Sequence, residues 1–139
     1  MKNTMIKVKK TIDVAPEKVW STIANVGGIS TWFPVITACR VEGNQRYCTM
    51  QGGGELEETM ISTDKATRTF TYSVDKHPLP WGPAHCEMKV NDAGGGKSEI
   101  IWTSSFECAD EVAAKATEMM QGLYGQGIEA LEAFHKMAA

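Results

Sequence analysis

The residues Ala109–Ala139, ADEVAAKATEMMQGLYGQGIEALEAFHKMAA, decide the fold of this chain. The segment contains no proline, and its apolar residues recur at the three- and four-residue spacing of an amphipathic helix. They are Val112, Ala116, Met119, Met120, Leu123, Tyr124, Ile128, Leu131 and Phe134. We therefore predict one long C-terminal helix that buries an apolar stripe.

Three glycines, Gly122, Gly125 and Gly127, lie within this stripe. In a helix interior each glycine costs about 1 kcal/mol relative to alanine, so three in close succession indicate a bend or a close approach to another element. The methionines of the stripe suit irregular volumes and adaptable binding surfaces. Two interpretations stay open: a plain core helix, and a helix that closes a cavity as well as a core.

The chain before the helix begins with a strand and two short helices. Alternating apolar residues from Ile6 to Val14 are typical of a strand with one buried face. Pro16 then stands at the first position of a helix that ends at Gly27 and Gly28. A second helix, residues 29–33, stops before Pro34 because the residue before a proline disfavours helical backbone.

Six further strands follow, each bounded by turn residues. They are predicted at Val35–Glu42, Gln45–Met50, Glu55–Ser62, Thr67–Val74, His85–Val90 and Lys97–Glu107. Short turns between consecutive strands make an antiparallel meander. The predicted fold class is α+β: a curved antiparallel seven-stranded sheet, in the order βααββββββα, wrapped around the C-terminal helix.

One strand contains a carboxylate whose orientation the pattern leaves open. In the strand Glu55–Ser62, Leu56, Glu58 and Met60 share one face, while Ile61 lies on the other. If Leu56 and Met60 face the helix, Glu58 does too, and burial would raise its pKa unless a partner compensates. The alternative is a one-residue shift or bulge that leaves Glu58 in water and Ile61 in the core.

Composition and motifs narrow the function classes. The 139 residues are expected to form one domain, residues 1–139, and the net charge of −3 argues against nucleic-acid binding. No apolar run is long enough for a signal peptide or a membrane span, and the four cysteines read as reduced thiols, so we expect a cytoplasmic protein. The dispersed histidines predict no metal site and no cofactor. The oligomeric state is open between monomer and homodimer.

The loop between the fifth and sixth strands, HPLPWGP at residues 77–83, is stiffened by three prolines. Leu79 and Trp81 are unusually apolar for a solvent-exposed loop. Either this loop forms part of the mouth of a cavity, with Trp32 and Phe33 on the other side, or Trp81 simply pins it to the core.

The whole chain resembles the helix-grip superfamily. This group includes the birch-pollen allergen, START lipid-binding domains, plant abscisic acid receptors and small bacterial polyketide cyclase/dehydrase-like (SRPBCC) proteins. The resemblance is carried by four stretches: VAPEKVWSTIANVGGISTWFP at 14–34, GGGELEETMISTDKATRTFTYSV at 52–74, LPWGPAHCEMKV at 79–90 and IIWTSSFE at 100–107. It implies a cavity between the sheet and the C-terminal helix.

Function carries over less directly, since the superfamily shares a cavity and not a reaction. In the plant receptors a glutamate stands six residues before an aspartate, as Glu58 does before Asp64 here, which supports the inward orientation of Glu58. Their gate and their histidine-bearing latch are not matched, because Gly52–Gly54 and Leu79–Trp81 occupy those regions.

Three functions follow as hypotheses. The first is a binding module for one small, largely apolar or aromatic molecule, lipid- or polyketide-like. Mostly apolar lining with a few polar groups suits such a site. The expected ligand-binding residues are Trp32, Phe33, Thr37, Cys39, Glu58, Met60, Tyr72, Val74, Leu79, Trp81, Cys86, Trp102, Ser104, Phe106, Met120, Leu123 and Tyr124.

The second hypothesis is a cofactor-independent cyclase, aldolase or dehydratase. Glu58 would transfer a proton next to a carbonyl while Tyr72 or Ser104 binds the developing oxyanion, and no arginine or histidine is expected to join them. The third is a co-chaperone-like interaction domain with a collapsed cavity, which predicts exposed aromatics at Trp81 and Trp32.

Overall fold

In the computed structural model, which describes residues 1–138, the elements follow the predicted order. The strands are β1 (Lys2–Ile12), β2 (Ile36–Glu42), β3 (Gln45–Met50), β4 (Glu55–Asp64), β5 (Thr69–Lys76), β6 (Ala84–Gly94) and β7 (Lys97–Cys108). The helices are α1 (Pro16–Ala24), a short 3₁₀ helix (Val26–Thr31) and α2 (Asp110–Ala138). The end of the predicted helix at Ala139 lies outside the described residues.

The seven strands form one antiparallel sheet in the order β1-β7-β6-β5-β4-β3-β2. The predicted α+β fold, a curved antiparallel sheet with a long C-terminal helix, is therefore confirmed. The second predicted helix is a 3₁₀ helix that starts earlier than expected. Its last turn closes through hydrogen bonds from the amides of Trp32 and Phe33 to the carbonyl of Ile29, 3.3 and 2.9 Å long.

The inward face of β7 is the one that the alternation predicts. Ile100, Trp102, Ser104 and Phe106 are all buried, and the register pairs Trp102 with Met88 on β6 and Val8 on β1. Because side chains on paired strands share a face, this row places the aromatic residues of the central strands beneath α2.

The helix α2 is continuous from Asp110 to Ala138, and one of its three glycines, Gly127, marks a close approach. A Cβ atom at Gly127 would lie 2.8 Å from Cζ3 of Trp102 and 2.9 Å from Cε1 of Phe33. Real Cβ contacts are not this short, so any other residue there would force the ring of Trp102 or Phe33 to shift. One residue of the predicted stripe is corrected: Met119 is 53% exposed, because Met120 and Leu123 already occupy the face toward the sheet.

Polar contacts near the C-terminal end of α2 join this helix to β1 and to the residue that follows β1. Lys10 pairs with Glu129 at 2.8 Å, and the amide of Asp13 donates to Glu132 at 2.7 Å. These contacts fix the helix along β1. Neither α2 nor any other helix in residues 1–138 combines the length and apolar character needed to cross a membrane.

Candidate functional site

A cavity of about 70 Å³ lies between the sheet and the N-terminal half of α2. We call it the grip cavity, and many of the residues predicted to bind a ligand form its wall. They are Phe33, Glu58, Tyr72, Val74, Leu79, Trp81, Trp102, Ser104, Phe106, Met120, Leu123 and Tyr124. Whether they bind a ligand stays a prediction, but the structure brings them together.

Two of the predicted wall residues, Thr37 and the partly buried Cys39, do not line the cavity. Thr37 is exposed and donates from its hydroxyl to the carbonyl of Thr49, and Cys39 lines a surface groove. The reason is the edge position of β2 and a register shift between Ile36 and Ala38. After Ile36 the side chains of β2 are at most partly buried. The alternation of residues along this strand therefore does not predict which of them line the cavity.

Three other predicted residues are packed near the cavity but are not part of its wall. Met60 is partly buried next to the second of two register shifts in β4, and Cys86 is buried with its sulfur 4.0 Å from the hydroxyl of Tyr124. Trp32 is buried and stacks on Phe33 with 5.5 Å between ring centroids. The interaction-domain hypothesis predicted that Trp32 is exposed, and this prediction is wrong.

Glu58 points inward. It is 4% exposed, whereas Ile61 is 51% exposed. Of the two orientations left open for β4, the structure therefore has the one in which Glu58 faces the core. The strand does contain the bulges that the other alternative required, between Glu57 and Glu58 and between Met60 and Ser62. They curve the strand around the core without turning Glu58 into water.

The partner of Glu58 is Arg46 on β3, a residue that was not predicted to belong to the site. The Nε atom of Arg46 donates to Oε1 of Glu58 at 2.6 Å, and the two side chains are 2% and 5% exposed. Nη1 also donates to the carbonyl of Val26 at 3.0 Å, and the guanidinium lies over the rings of Phe70 and Tyr72. A sequence signal existed, because Arg46 shares the inner face of β3 with Cys48.

Burial and charge act in opposite directions on Glu58. Burial raises the pKa of its carboxyl group, while the adjacent Arg46 opposes this shift. The carboxylate in turn raises the pKa of Arg46, against the effect of burial. Since arginine stays protonated in proteins, the 2.6 Å contact indicates an ionised pair.

The remaining polar atoms near the cavity are hydroxyls and a thiol. Nε1 of Trp102 donates to the Tyr72 hydroxyl at 3.0 Å, and Trp102 stacks on Tyr124 at a centroid distance of 4.2 Å. Burial raises the pKa of both tyrosines well above the ordinary value, and that of Cys86 to about 12. These groups are therefore neutral. Ser104 is buried, and its hydroxyl finds no hydrogen-bond partner among residues 1–138.

The loop of residues 77–83 lies at the mouth of the cavity. His77, which the analysis had not assigned to the site, holds it: the amide of Leu79 donates to Nδ1 at 3.1 Å, and Nε2 lies 2.9 Å from the carbonyl of Gly82. Trp81 stacks on Phe106 at 5.1 Å. Wall residues that prediction also missed are Ile29, Val35, Ile36, Met50, Leu56 and Ala84.

Trp81 separates the grip cavity from an outer groove. The groove, with a volume of about 540 Å³, runs along the start of α2 and is lined mainly by Pro80, Val112, Ala116 and Met119 with the outer side of Trp81. The same indole therefore lines both spaces.

Residues 4–134 match the sequence model of a family described as polyketide cyclase/dehydrase and lipid transport. The chain belongs to this family. No protein among those with curated functions matches it.

Solved structures share the fold of this polyketide cyclase/dehydrase family member. Protein XoxI from Bacillus cereus is 22% identical with a TM-score of 0.89, and the match covers 98% of this chain and 99% of that one. A START superfamily protein from Mycobacterium smegmatis has 13% identity and a TM-score of 0.77, over 97% and 99% of the chains. The Zhui aromatase/cyclase from Streptomyces sp. R1128 has 14% identity and a TM-score of 0.72, over 96% and 91%. At these identities the likeness concerns the fold alone.

Proposed function

We propose that this chain binds one small, largely apolar or aromatic molecule in the grip cavity. The observation that carries the proposal is the composition of the wall: apolar and aromatic side chains surround one buried hydroxyl, on Ser104, that has no hydrogen-bond partner in the described chain. Mostly apolar lining with few convergent polar groups is typical of ligand sites. A buried polar atom without a partner costs free energy, which a bound molecule can recover.

The size of the cavity bears on how a ligand enters. Its 70 Å³ is less than half of the roughly 150 Å³ of an engineered cavity that binds benzene, so a ring-sized ligand requires the wall to move. The mouth is suited to this, since Leu79, Trp81 and Leu123 are only partly buried. Rotation of Trp81 would add the outer groove to the available space.

The test is ligand detection on the intact chain and on a filled variant. Native mass spectrometry of protein purified from cells, and thermal shift with aromatic polyketides, sterols and fatty acids, should reveal a bound species. Leu123→Trp places an indole in the cavity and should abolish that binding, while Gln121→Trp, at an exposed position of α2 that lines neither the cavity nor the outer groove, should not. If neither co-purified nor added ligands bind the unmodified chain, the proposal fails.

A second candidate, a cofactor-independent cyclase or dehydratase, is favoured by one observation: Glu58 lies on the cavity wall with a raised pKa. Arg46 and Cys48 both contact Oε1, which leaves Oε2 to exchange a proton with a substrate. With a substrate in hand, Glu58→Gln should lower kcat by about 100-fold or more without loss of substrate binding. Unchanged turnover would rule out this role.

A further inference from the structure

The charges around the grip cavity are already balanced. The positive charge of Arg46 is paired with Glu58 at 2.6 Å and lies over two aromatic faces. In the described residues the cavity wall contains no lysine and no arginine. A ligand with a carboxylate would therefore meet the negative charge of Glu58 and no free cation, at a site where burial makes an unpaired charge expensive.

The histidine on the wall, His77, uses both ring nitrogens within its own loop. The amide N–H of Leu79 donates to Nδ1 of His77, so Nδ1 carries no proton. Nε2 lies 2.9 Å from the carbonyl oxygen of Gly82, to which only an N–H can donate. Both bonds together are satisfied by the tautomer that has its proton on Nε2, and they occupy both ring nitrogens.

Ser104 is the polar group left for a ligand. Its side chain lines the cavity and is 2% exposed, and its hydroxyl makes no hydrogen bond of ordinary geometry in the part of the chain that the structure describes, although the Tyr124 hydroxyl lies beside it. A serine hydroxyl both donates and accepts, so it suits a neutral oxygen. By contrast, the Tyr72 hydroxyl already accepts from Trp102.

We infer that the grip cavity selects neutral ligands that place a hydroxyl or carbonyl oxygen against Ser104, and that it discriminates against carboxylic acids of the same shape. The inference rests on the proposed function and narrows its ligand class. It predicts that, among lipid-like molecules, alcohols, ketones and phenols bind and fatty acids do not.

The test compares three ring probes that share a toluene core, 4-methylphenol, toluene and 4-methylbenzoate, and includes 4-methylbenzamide as the neutral isostere that controls for the larger size of the benzoate. Affinities are measured at pH 8 by NMR titration in sealed samples. The phenol should bind about 2- to 10-fold more tightly than toluene, the effect of one net hydrogen bond. The benzoate should bind at least about 10-fold more weakly than the phenol.

Single substitutions test which side chains cause the differences in affinity among the probes. Ser104→Ala should remove the advantage of 4-methylphenol over toluene. Ser98→Ala is the matched control, since Ser98 is also a buried serine of β7 but donates to the carbonyl of Val14 at 2.6 Å, and it should preserve the advantage. Glu58→Gln removes the negative charge and should narrow the gap between phenol and benzoate.

The outcomes separate the two proposals. If toluene and 4-methylphenol bind but 4-methylbenzoate binds equally well or better, the selectivity is wrong and the cavity proposal stands. If Ser104→Ala weakens all three probes alike, Ser104 does not recognise an oxygen. If no probe binds, both proposals are wrong.

Discussion

The helix α2 has two halves that look alike in sequence and differ in what they cover. Residues 124–131, which we call the packed end, bury Tyr124, Ile128 and Leu131 and bring Gly127 against Trp102 and Phe33. Residues 112–123, the cavity end, place Met120 and the partly buried Leu123 above the grip cavity and the partly buried Val112 beside the outer groove. One apolar stripe thus serves as core at one end and as a cavity wall at the other.

The difference arises from the facing side chains. Beneath the packed end, Trp102 and Phe33 fill the space up to the helix backbone. Beneath the cavity end the wall includes Glu58 and Ser104, which are polar and smaller. Polar groups in a core limit how closely apolar side chains can pack without loss of hydrogen bonds. The grip cavity, where we propose that the ligand binds, lies beside these two polar side chains.

The largest expected effect tests whether the cavity end depends on its ion pair. Arg46→Met leaves Glu58 as an unpaired buried carboxylate and should lower the free energy of unfolding by about 3–5 kcal/mol. Urea denaturation at pH 7 measures it. The double variant Arg46→Met with Glu58→Leu removes both charges and should recover most of the loss. If Arg46→Met alone leaves the free energy of unfolding unchanged, the ion pair between Arg46 and Glu58 is not buried in solution.

The packed end is tested with a single methyl group. Gly127→Ala places Cβ 2.8 Å from Trp102 and 2.9 Å from Phe33, so crowding should outweigh the helix propensity of alanine and lower stability by about 1–3 kcal/mol. Gly122→Ala is the control, because nothing lies within 4 Å of its Cβ position. That variant should raise stability by up to about 1 kcal/mol. Equal effects of the two variants would remove the distinction between the two ends.

The cavity end should tolerate a far larger insertion. Leu123→Trp adds an indole beside the 70 Å³ cavity and the partly buried side chains of the mouth, and should cost less than about 1 kcal/mol, below the range for overpacking a filled core. Thermal unfolding compares it directly with Gly127→Ala. If the tryptophan is the more damaging change, the cavity end is as tightly packed as the rest of the helix.

The elements and their order were predictable because the periodicities of two and of three to four residues are strong over long segments such as β7 and α2. The inward face of β7 followed from strict alternation. Glu58 was left open, because bulges like those observed in β4 change which face a residue occupies. Such bulges depend on neighbouring strands rather than on local sequence.

The site was predicted less completely, for two physical reasons. Thr37 and Cys39 were misplaced since β2 is an edge strand that leaves the core after Ile36. Arg46 was missed because an arginine is rarely buried without a partner, and the register that pairs it with Glu58 is a long-range property of the sheet. The alternation of Arg46 with Cys48 on β3 was the available signal.

The smallest expected effect concerns the C-terminal turn of α2, just beyond the packed end. Burial, and then the charge of Lys18, lower the pKa of His135, whose Nε2 lies 2.9 Å from the Thr22 hydroxyl. Because the folded pKa is below the unfolded value of about 6.5, the unfolded chain takes up this proton first as the pH falls. The stability contribution is therefore complete above about pH 7 and is lost as the pH falls through the folded pKa. Denaturation midpoints between pH 8 and pH 5 should show a loss that His135→Gln reduces and that Lys18→Gln reduces in part. Identical pH profiles for His135→Gln and the unmodified chain would show that the histidine is solvated like an unfolded one, and that the tight packing of α2 stops at Leu131.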